Sequence, residues 1–260
     1  MPYSSEARAE ICIDLGAIRQ NYRNLKAQLV RGVELAAVVK ADAYGLGAKR
    51  VVPVLLEEGC KTFFVATLEE GAELRVLSSN AIIYVLNGFL DPAFRRDFCE
   101  LGIRPILNDL NEFDWWFSGC RGDFSALPPA GIQIDTGMTR YGVSRSQMLQ
   151  LNSLLKKGIC PALIMSHLSC AEQFHELNGI QLRRFIDAVG SLDLATRSGC
   201  QLSLANSSGI YLGRSYHFNL VRAGAALYGI NPQPAMPNSM FEVVKLQAKI
   251  SQVRFVDSPT

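Results

Sequence analysis

The stretch ELAAVVKADAYGLGAKR, residues 34–50, decides the fold. An apolar run at 35–39 delivers a single lysine, Lys40, and the chain then passes through a small residue, an aspartate, a tyrosine and two glycines. A strand buried on both faces needs such an unbroken apolar run, and a parallel sheet covered by helices buries its strands that way. The following segment, AKRVVPVLLEEG, has helical spacing, with Pro53 expected in its first turn or at a kink. The unit is therefore strand, turn, helix, with Lys40 at the strand's exit.

The same unit recurs along the chain. KTFFVA, AIIYVL, IRPIL, GIQID, ALIMSH and QLSLAN read as strands, and NLVRAGAALYGI supplies a last apolar run. Helix patterns lie between them. TLEE predicts a capping box of Thr67 with Glu70, and DPAFRRDFCELG carries an Asp cap, a Pro at the first helical position and a terminal Gly. About eight units predict an α/β fold, a (β/α)8 TIM barrel followed by the opening strands of a β domain. An open doubly wound sheet is the alternative. Its dinucleotide fingerprint needs a third glycine that GLGAKR lacks.

The flanks differ from the barrel. GAIRQNYRNLKAQL places Ile18, Tyr22, Leu25 and Leu29 on one helical face behind an Asp14 cap. FEVVKLQAKISQVRFVD alternates apolar and polar residues, as does the early ARAEICID. Three segments are expected: 1–14, a strand that pairs with the β domain; 15–236, the barrel; and 237–260, the start of a C-terminal β domain. Two strands cannot bury a face alone, so most of that domain is expected to be missing.

Composition narrows the function. The chain has 260 residues, 48% hydrophobic and 19% charged, with net charge +2. Its Lys and Arg are scattered among acids, which gives no case for nucleic acid. Seven cysteines without a CxxC pair fit a reducing compartment better than a disulfide framework. The first ten residues show no secretory signal, and no apolar run approaches the roughly 20 residues of a membrane span. A cytoplasmic location is expected.

In a parallel barrel, function collects at the carboxyl ends of the strands. There the sequence places Lys40; Asp135, Thr136 and Arg140; His167; Asn206, Ser207 and Ser208; and Arg222, Gly224 and Ala225. Taken singly, each has an ordinary reading. A lysine after a strand is usually a solvated rim residue, a histidine is usually structural, and His167, Cys170 and His175 form only a weak zinc pattern. Taken together they are specific. A lysine partly desolvated and flanked by cations has its pKa pushed down and becomes a nucleophilic amine suited to Schiff-base chemistry. Ser207, Gly224 and Ala225 suit a phosphate near the seventh and eighth strands. The combination suggests pyridoxal phosphate (PLP).

The motifs VVKADAYGLG, IDTGMTRYG, MSHLSCAEQ, LANSSGI and VRAGAALYGINP, in that order, resemble those of the bacterial alanine racemases, PLP enzymes of fold type III. The resemblance runs from near residue 9 to the end. It implies interconversion of L- and D-alanine by a two-base mechanism. Lys40 would carry PLP and act as one base, with the glycines letting the backbone turn away beneath it. Tyr44 would touch the phosphate, with Ser207, Gly224 and Ala225 forming its cradle and Asn206 beside them. His167 would pack on the pyridine ring, Arg222 would face its nitrogen, and Arg140 would lie near the phenolic oxygen and the substrate carboxylate. Lys40, Arg222 and His167 are the expected catalytic set, with no metal.

The resemblance also implies a head-to-tail homodimer and a tyrosine of the partner's β domain as second base. No residue after Val244 matches that tyrosine motif. Weak PLP binding with loss of full racemase activity is therefore expected of this chain. Gln133 stands where many members carry a carbamylated lysine, and its amide oxygen is expected to serve Arg140 instead. The alternatives are a broad-specificity amino-acid racemase and a single-domain PLP-binding protein without racemase activity. A role in cell-wall D-alanine supply or in alanine catabolism is equally open.

Overall fold

A computed structural model describes residues 9–120, 124–156, 158–192 and 199–256. The first described strand, β1 (Ala9–Ile13), stands outside the barrel. Eight parallel strands follow: β2 (Glu34–Val38), β3 (Thr62–Val65), β4 (Ile82–Val85), β5 (Arg104–Leu107), β6 (Gly131–Gln133), β7 (Leu163–Met165), β8 (Gln201–Ser203) and β9 (Leu220–Ala223). Their order is β8-β7-β6-β5-β4-β3-β2-β9. The two ends of this row meet, because Asn219 N donates to Leu202 O at 3.1 Å and Arg222 N to Ala205 O at 3.0 Å. The sheet is thus a nearly closed barrel, and the open doubly wound alternative is ruled out.

The strands are mostly apolar because they are covered on both sides, and the two sides alternate along each strand. Leu35, Ala37 and Val39 belong to the large cluster that packs sheet against helices. Ala36, Val38, Phe64, Tyr84, Ile106, Leu163, Met165 and Leu220 form a second cluster that fills the barrel. Fully burying one such side chain contributes about 1.5–3 kcal/mol. The alternation has a consequence at the rim. Lys40 continues the inward series of Ala36 and Val38, His167 that of Leu163 and Met165, and Arg222 that of Leu220.

The helices are α1 (Leu15–Ala27), a single turn α2 (Lys40–Tyr44), α3 (Ala48–Glu57), α4 (Leu68–Leu77), α5 (Arg95–Leu101), α6 (Leu110–Phe117), α7 (Met148–Leu155) and α8 (Glu176–Ser191). Expected caps form. Asp14 Oδ1 accepts from Ala17 N at 2.9 Å, and Asp91 Oδ1 from Ala93 N at 2.8 Å ahead of Pro92. Such caps are worth about 1 kcal/mol each.

Of its two expected places Pro53 takes the one inside α3, beyond the first turn and on the solvent face, where water can take the carbonyl it releases. One expectation changes. The Thr67–Glu70 capping box is only half formed. Thr67 Oγ1 accepts from Glu70 N at 3.4 Å, but the Glu70 carboxylate goes to Ala66 N and Ala41 N instead of back to Thr67.

Outside the barrel, β10 (Val244–Ala248) pairs antiparallel with β1, with Ile11 opposite Leu246. Regular structure ends at Ala248, so residues 249–256 add no further strand. No helix among the described residues is long and apolar enough to cross a membrane.

Candidate active site

A cavity of about 500 Å³ opens at the carboxyl ends of the barrel strands. Lys40, Tyr44, Arg140, His167, Asn206, Ser207, Arg222, Gly224 and Ala225 all line it.

The segment after Lys40 is not the glycine turn that the sequence suggested. Ala41, Asp42 and Ala43 have φ of 52–56° with ψ of 51°, and Tyr44 has φ 58°. Four non-glycine residues thus form a left-handed turn, while Gly45 and Gly47 only end it. Such a turn costs about 1–2 kcal/mol per residue. Local bonds offset this: Gly45 N donates to Ala41 O at 2.7 Å, Gly47 N to Asp42 O at 2.9 Å, and Ala48 N to Asp42 Oδ1 at 2.7 Å. The turn sends Tyr44 back over the barrel, its ring 4.8 Å from that of Tyr228, whose hydroxyl donates to Val38 O at 3.0 Å.

Tyr44 then meets the loop after β9. A Cβ on Gly224 would lie 2.5 Å from Tyr44 Oη and 3.3 Å from Val38 Cβ, so only glycine allows this approach. Ser207 Oγ accepts from Gly224 N at 3.0 Å and Ala226 N at 3.2 Å. With its oxygen taken, its proton is free to donate to an anion. The Tyr44 hydroxyl, the Ser207 hydroxyl and the Ala225 amide, which opens the short 3-10 helix Ala225–Tyr228, make an anion-accepting corner. Asn206 shapes it, its Oδ1 accepting from Gly209 N at 2.9 Å.

Arg222 sits at the other end, 3% exposed. Its guanidinium donates to Ser203 Oγ and, at 2.6 Å, to Ser166 O, and stands 3.4 Å from His167 Nδ1. All three acceptors are neutral, and no carboxylate pairs with it among the described residues. Burial pulls its pKa down to about 10, which leaves it charged at neutral pH.

His167 is held neutral, its pKa pulled down to about 3 by burial and then by the charges of Arg222, Arg140 and Lys40. The sign for stability follows. Between about pH 6.5, the ordinary value, and pH 3 the unfolded chain binds a proton that the folded one refuses, so stability falls as pH drops through that window and is untouched above it. Urea midpoints of a His167→Asn variant should therefore decline less steeply than those of the unsubstituted protein from pH 6.5 to 4. Parallel declines would contradict the assignment.

Arg140 is exposed at the cavity mouth, its guanidinium 6.0 Å from the centre of the Tyr141 ring. The expected bond from Gln133 to Arg140 does not form. Gln133 Nε2 donates to Tyr141 O at 3.3 Å instead. Gly142, at φ 110° and with a would-be Cβ only 2.7 Å from Asp135 N, folds residues 141–143 back onto β6 and brings Tyr141 O to the Gln133 NH2. Asp135 is consumed in the same loop, where its Oδ1 accepts from the amides of Gly137, Met138 and Thr139. His175 is spent on the N-terminus of α8, accepting from Leu177 N at 3.1 Å. No group of three or more His, Cys, Asp or Glu among the described residues is placed to hold a metal.

The sequence reading missed Asn87, Tyr141 and Glu172, which also line the cavity. Asn87 ends an apolar strand run just as Lys40 does, so the same rule could have found it. Gln181, fully buried on α8, carries no such signal. Its Nε2 donates to His167 O at 2.9 Å and to Thr136 Oγ1 at 3.2 Å, and its Oε1 accepts from Ser169 N at 3.0 Å. It fixes the loop that presents His167.

This donor set fits the expected PLP. An amine, a buried guanidinium without a counter-ion and an anion-accepting corner share one space large enough for a phosphorylated pyridine ring.

The family model of the alanine racemase N-terminal domain matches residues 13–232. The chain is 45% identical over 255 residues to a catabolic alanine racemase of Mesorhizobium japonicum, covering 96% of this chain and 65% of that protein. It is 41% identical over 266 residues to an alanine racemase of Rhodospirillum rubrum, covering 68% of that protein. The crystal structure of alanine racemase from Bartonella henselae with covalently bound pyridoxal phosphate superposes with a TM-score of 0.86 at 38% identity, covering 96% of this chain and 69% of that one. The chain therefore spans about two thirds of the length of these relatives.

Proposed function

Because the chain belongs to the family of the alanine racemase N-terminal domain, we propose that its barrel rim is the PLP-binding half of an enzyme that interconverts L- and D-alanine. One observation carries this reading: Lys40, the uncompensated Arg222 and the Tyr44–Ser207–Gly224 corner line a single cavity.

Lys40 would hold the cofactor's aldehyde carbon, the Tyr44, Ser207 and Ala225 donors its phosphate, and Arg222 its ring nitrogen, with His167 against the ring. When bound, PLP supplies an electron sink that acidifies the Cα proton of an amino acid. The protein's residues set how that acidity is used. Arg222 remains a cation and a donor, so it would hold the ring nitrogen by donating to it and would not supply a proton to it. A sink weakened in this way would favour returning the Cα proton over side reactions. His167, being neutral, adds no second cation. Arg140, exposed at the mouth and without an ion pair among the described residues, is available to a substrate carboxylate.

Racemisation needs a base on each face of Cα. Lys40 is the base on one face. We assign the other to a tyrosine outside residues 1–260, in a C-terminal β domain that a homodimer would bring over the rim. Residues 1–14 and 237–260 would belong to that domain, joined by the β1–β10 ribbon, and residues 15–236 to the barrel. The location is taken to be the cytoplasm.

The test uses PLP, residues 1–260 and each alanine enantiomer in heavy water. One base predicts deuterium at Cα of one enantiomer at least about tenfold faster than of the other. Equal exchange of both, or none above free PLP, would overturn the assignment.

A further inference from the structure

We infer that Glu70 is a positioning residue for Lys40, holding the left-handed turn that aims the amine into the cavity. The inference rests on the reading that Lys40 binds PLP.

The sequence placed Glu70 in a helix cap, but its carboxylate is used elsewhere. Oε1 accepts from Ala41 N at 2.8 Å, and Oε2 accepts from Ala66 N at 2.7 Å. Ala41 directly follows Lys40, and Ala66 follows β3 and lines the cavity. One side chain on α4 therefore ties the exits of two neighbouring barrel strands together.

The need arises from the turn itself. Ala43 N donates to Val39 O at 2.9 Å and Gly45 N to Ala41 O at 2.7 Å, so the turn satisfies its later amides internally. Ala41 N opens the turn and takes its acceptor from outside. Three alanine and aspartate residues in the left-handed region relax toward ordinary dihedrals when released. Lys40 sits at the start of that turn, so relaxation swings its Cα–Cβ vector relative to Arg222 and the anion corner. A carboxylate suits the task because each oxygen accepts a charge-assisted bond from one amide. Glutamine offers one acceptor and turns its NH2 toward the other amide, so it keeps the shape and loses one of the two bonds.

The competing explanation is that Glu70 only stabilises the start of α4. Thr67 separates the two. Its Oγ1 accepts from Glu70 N at the same helix start, and it makes no bond to residues 40–44. The experiment titrates Glu70→Gln, Glu70→Ala and Thr67→Ala with PLP, following absorbance, the rate of condensation and the thermal midpoint. Glu70→Gln should weaken PLP about fivefold and slow condensation, with Glu70→Ala weaker still, a size set by one partly exposed charge-assisted bond. Thr67→Ala should bind within about twofold of the unsubstituted protein while melting as early as Glu70→Gln. If Thr67→Ala loses as much PLP affinity as Glu70→Gln, or if Glu70→Gln binds normally, the inference is overturned. Should Glu70→Ala fail to fold, the Gln and Thr67 variants decide alone. If the unsubstituted protein binds no PLP, the proposed function falls, and this inference with it.

Discussion

Replacing Lys40 by alanine is expected to abolish the absorbance band that PLP acquires on the protein and to weaken its retention by at least about 100-fold. Lys40 carries the only primary amine among the residues named for the cofactor, the other cations there being guanidiniums. The fold should survive the change. Lys40 has no ion pair among the described residues, and the left-handed turn is held by the backbone, Asp42 and Glu70. Circular dichroism and the thermal midpoint should therefore stay near those of the unsubstituted protein while the band is lost. A Lys40→Ala protein that keeps the band would place the reactive amine elsewhere.

The second large effect concerns Arg222→Met, and stability and function should separate. Two quantities compete. Burial brings the guanidinium pKa to about 10, against an ordinary 12.5, and that represents about 3 kcal/mol against the charged form. The penalty applies at every pH below 10, where both folded and unfolded chains carry the charge, and it fades only as pH rises past that value. Methionine removes it. The substitution also strips donors from Ser166 O and Ser203 Oγ, at about 1–3 kcal/mol each. The terms are of similar size, so the PLP-free variant should unfold near the denaturant midpoint of the parent. PLP should bind it about 100-fold less well, because the ring nitrogen would lose a charged donor in a buried site. A loss of more than about 2 kcal/mol in the PLP-free state, with affinity for PLP intact, would show Arg222 to be a structural residue.

Most of the barrel was legible because strand burial on both faces leaves short, mostly apolar runs before the rim. Lys40, His167 and Arg222 each break such a run at an inward position. They were found by that signal, and the structure brings them into one cavity. What was not legible came from tertiary demands on local rules. The glycines of YGLG suggested a glycine turn, yet Ala41, Asp42, Ala43 and Tyr44 bear the left-handed conformation, which among them only aspartate visits with any ease. The TLEE motif predicted a reciprocal cap, but two amides at the strand exits claimed the Glu70 carboxylate. Gln133 was expected to reach Arg140. The return of residues 141–143 over β6 sets Tyr141 O against its NH2 while Arg140 stays exposed, and that return depends on a close approach at Gly142 that spacing does not reveal. Gln181 and Glu70 act from helices, where a polar residue on a mixed face carries no mark of its role.

The central claim is that Lys40 forms the covalent bond to PLP, and borohydride reduction followed by peptide mapping tests it most directly. PLP added to the protein and reduced should leave a pyridoxyl mass on the peptide that spans residues 34–50, at Lys40 and at no more than background on Lys49, Lys61 or Lys245. A label carried mainly by any lysine other than Lys40 would contradict the account.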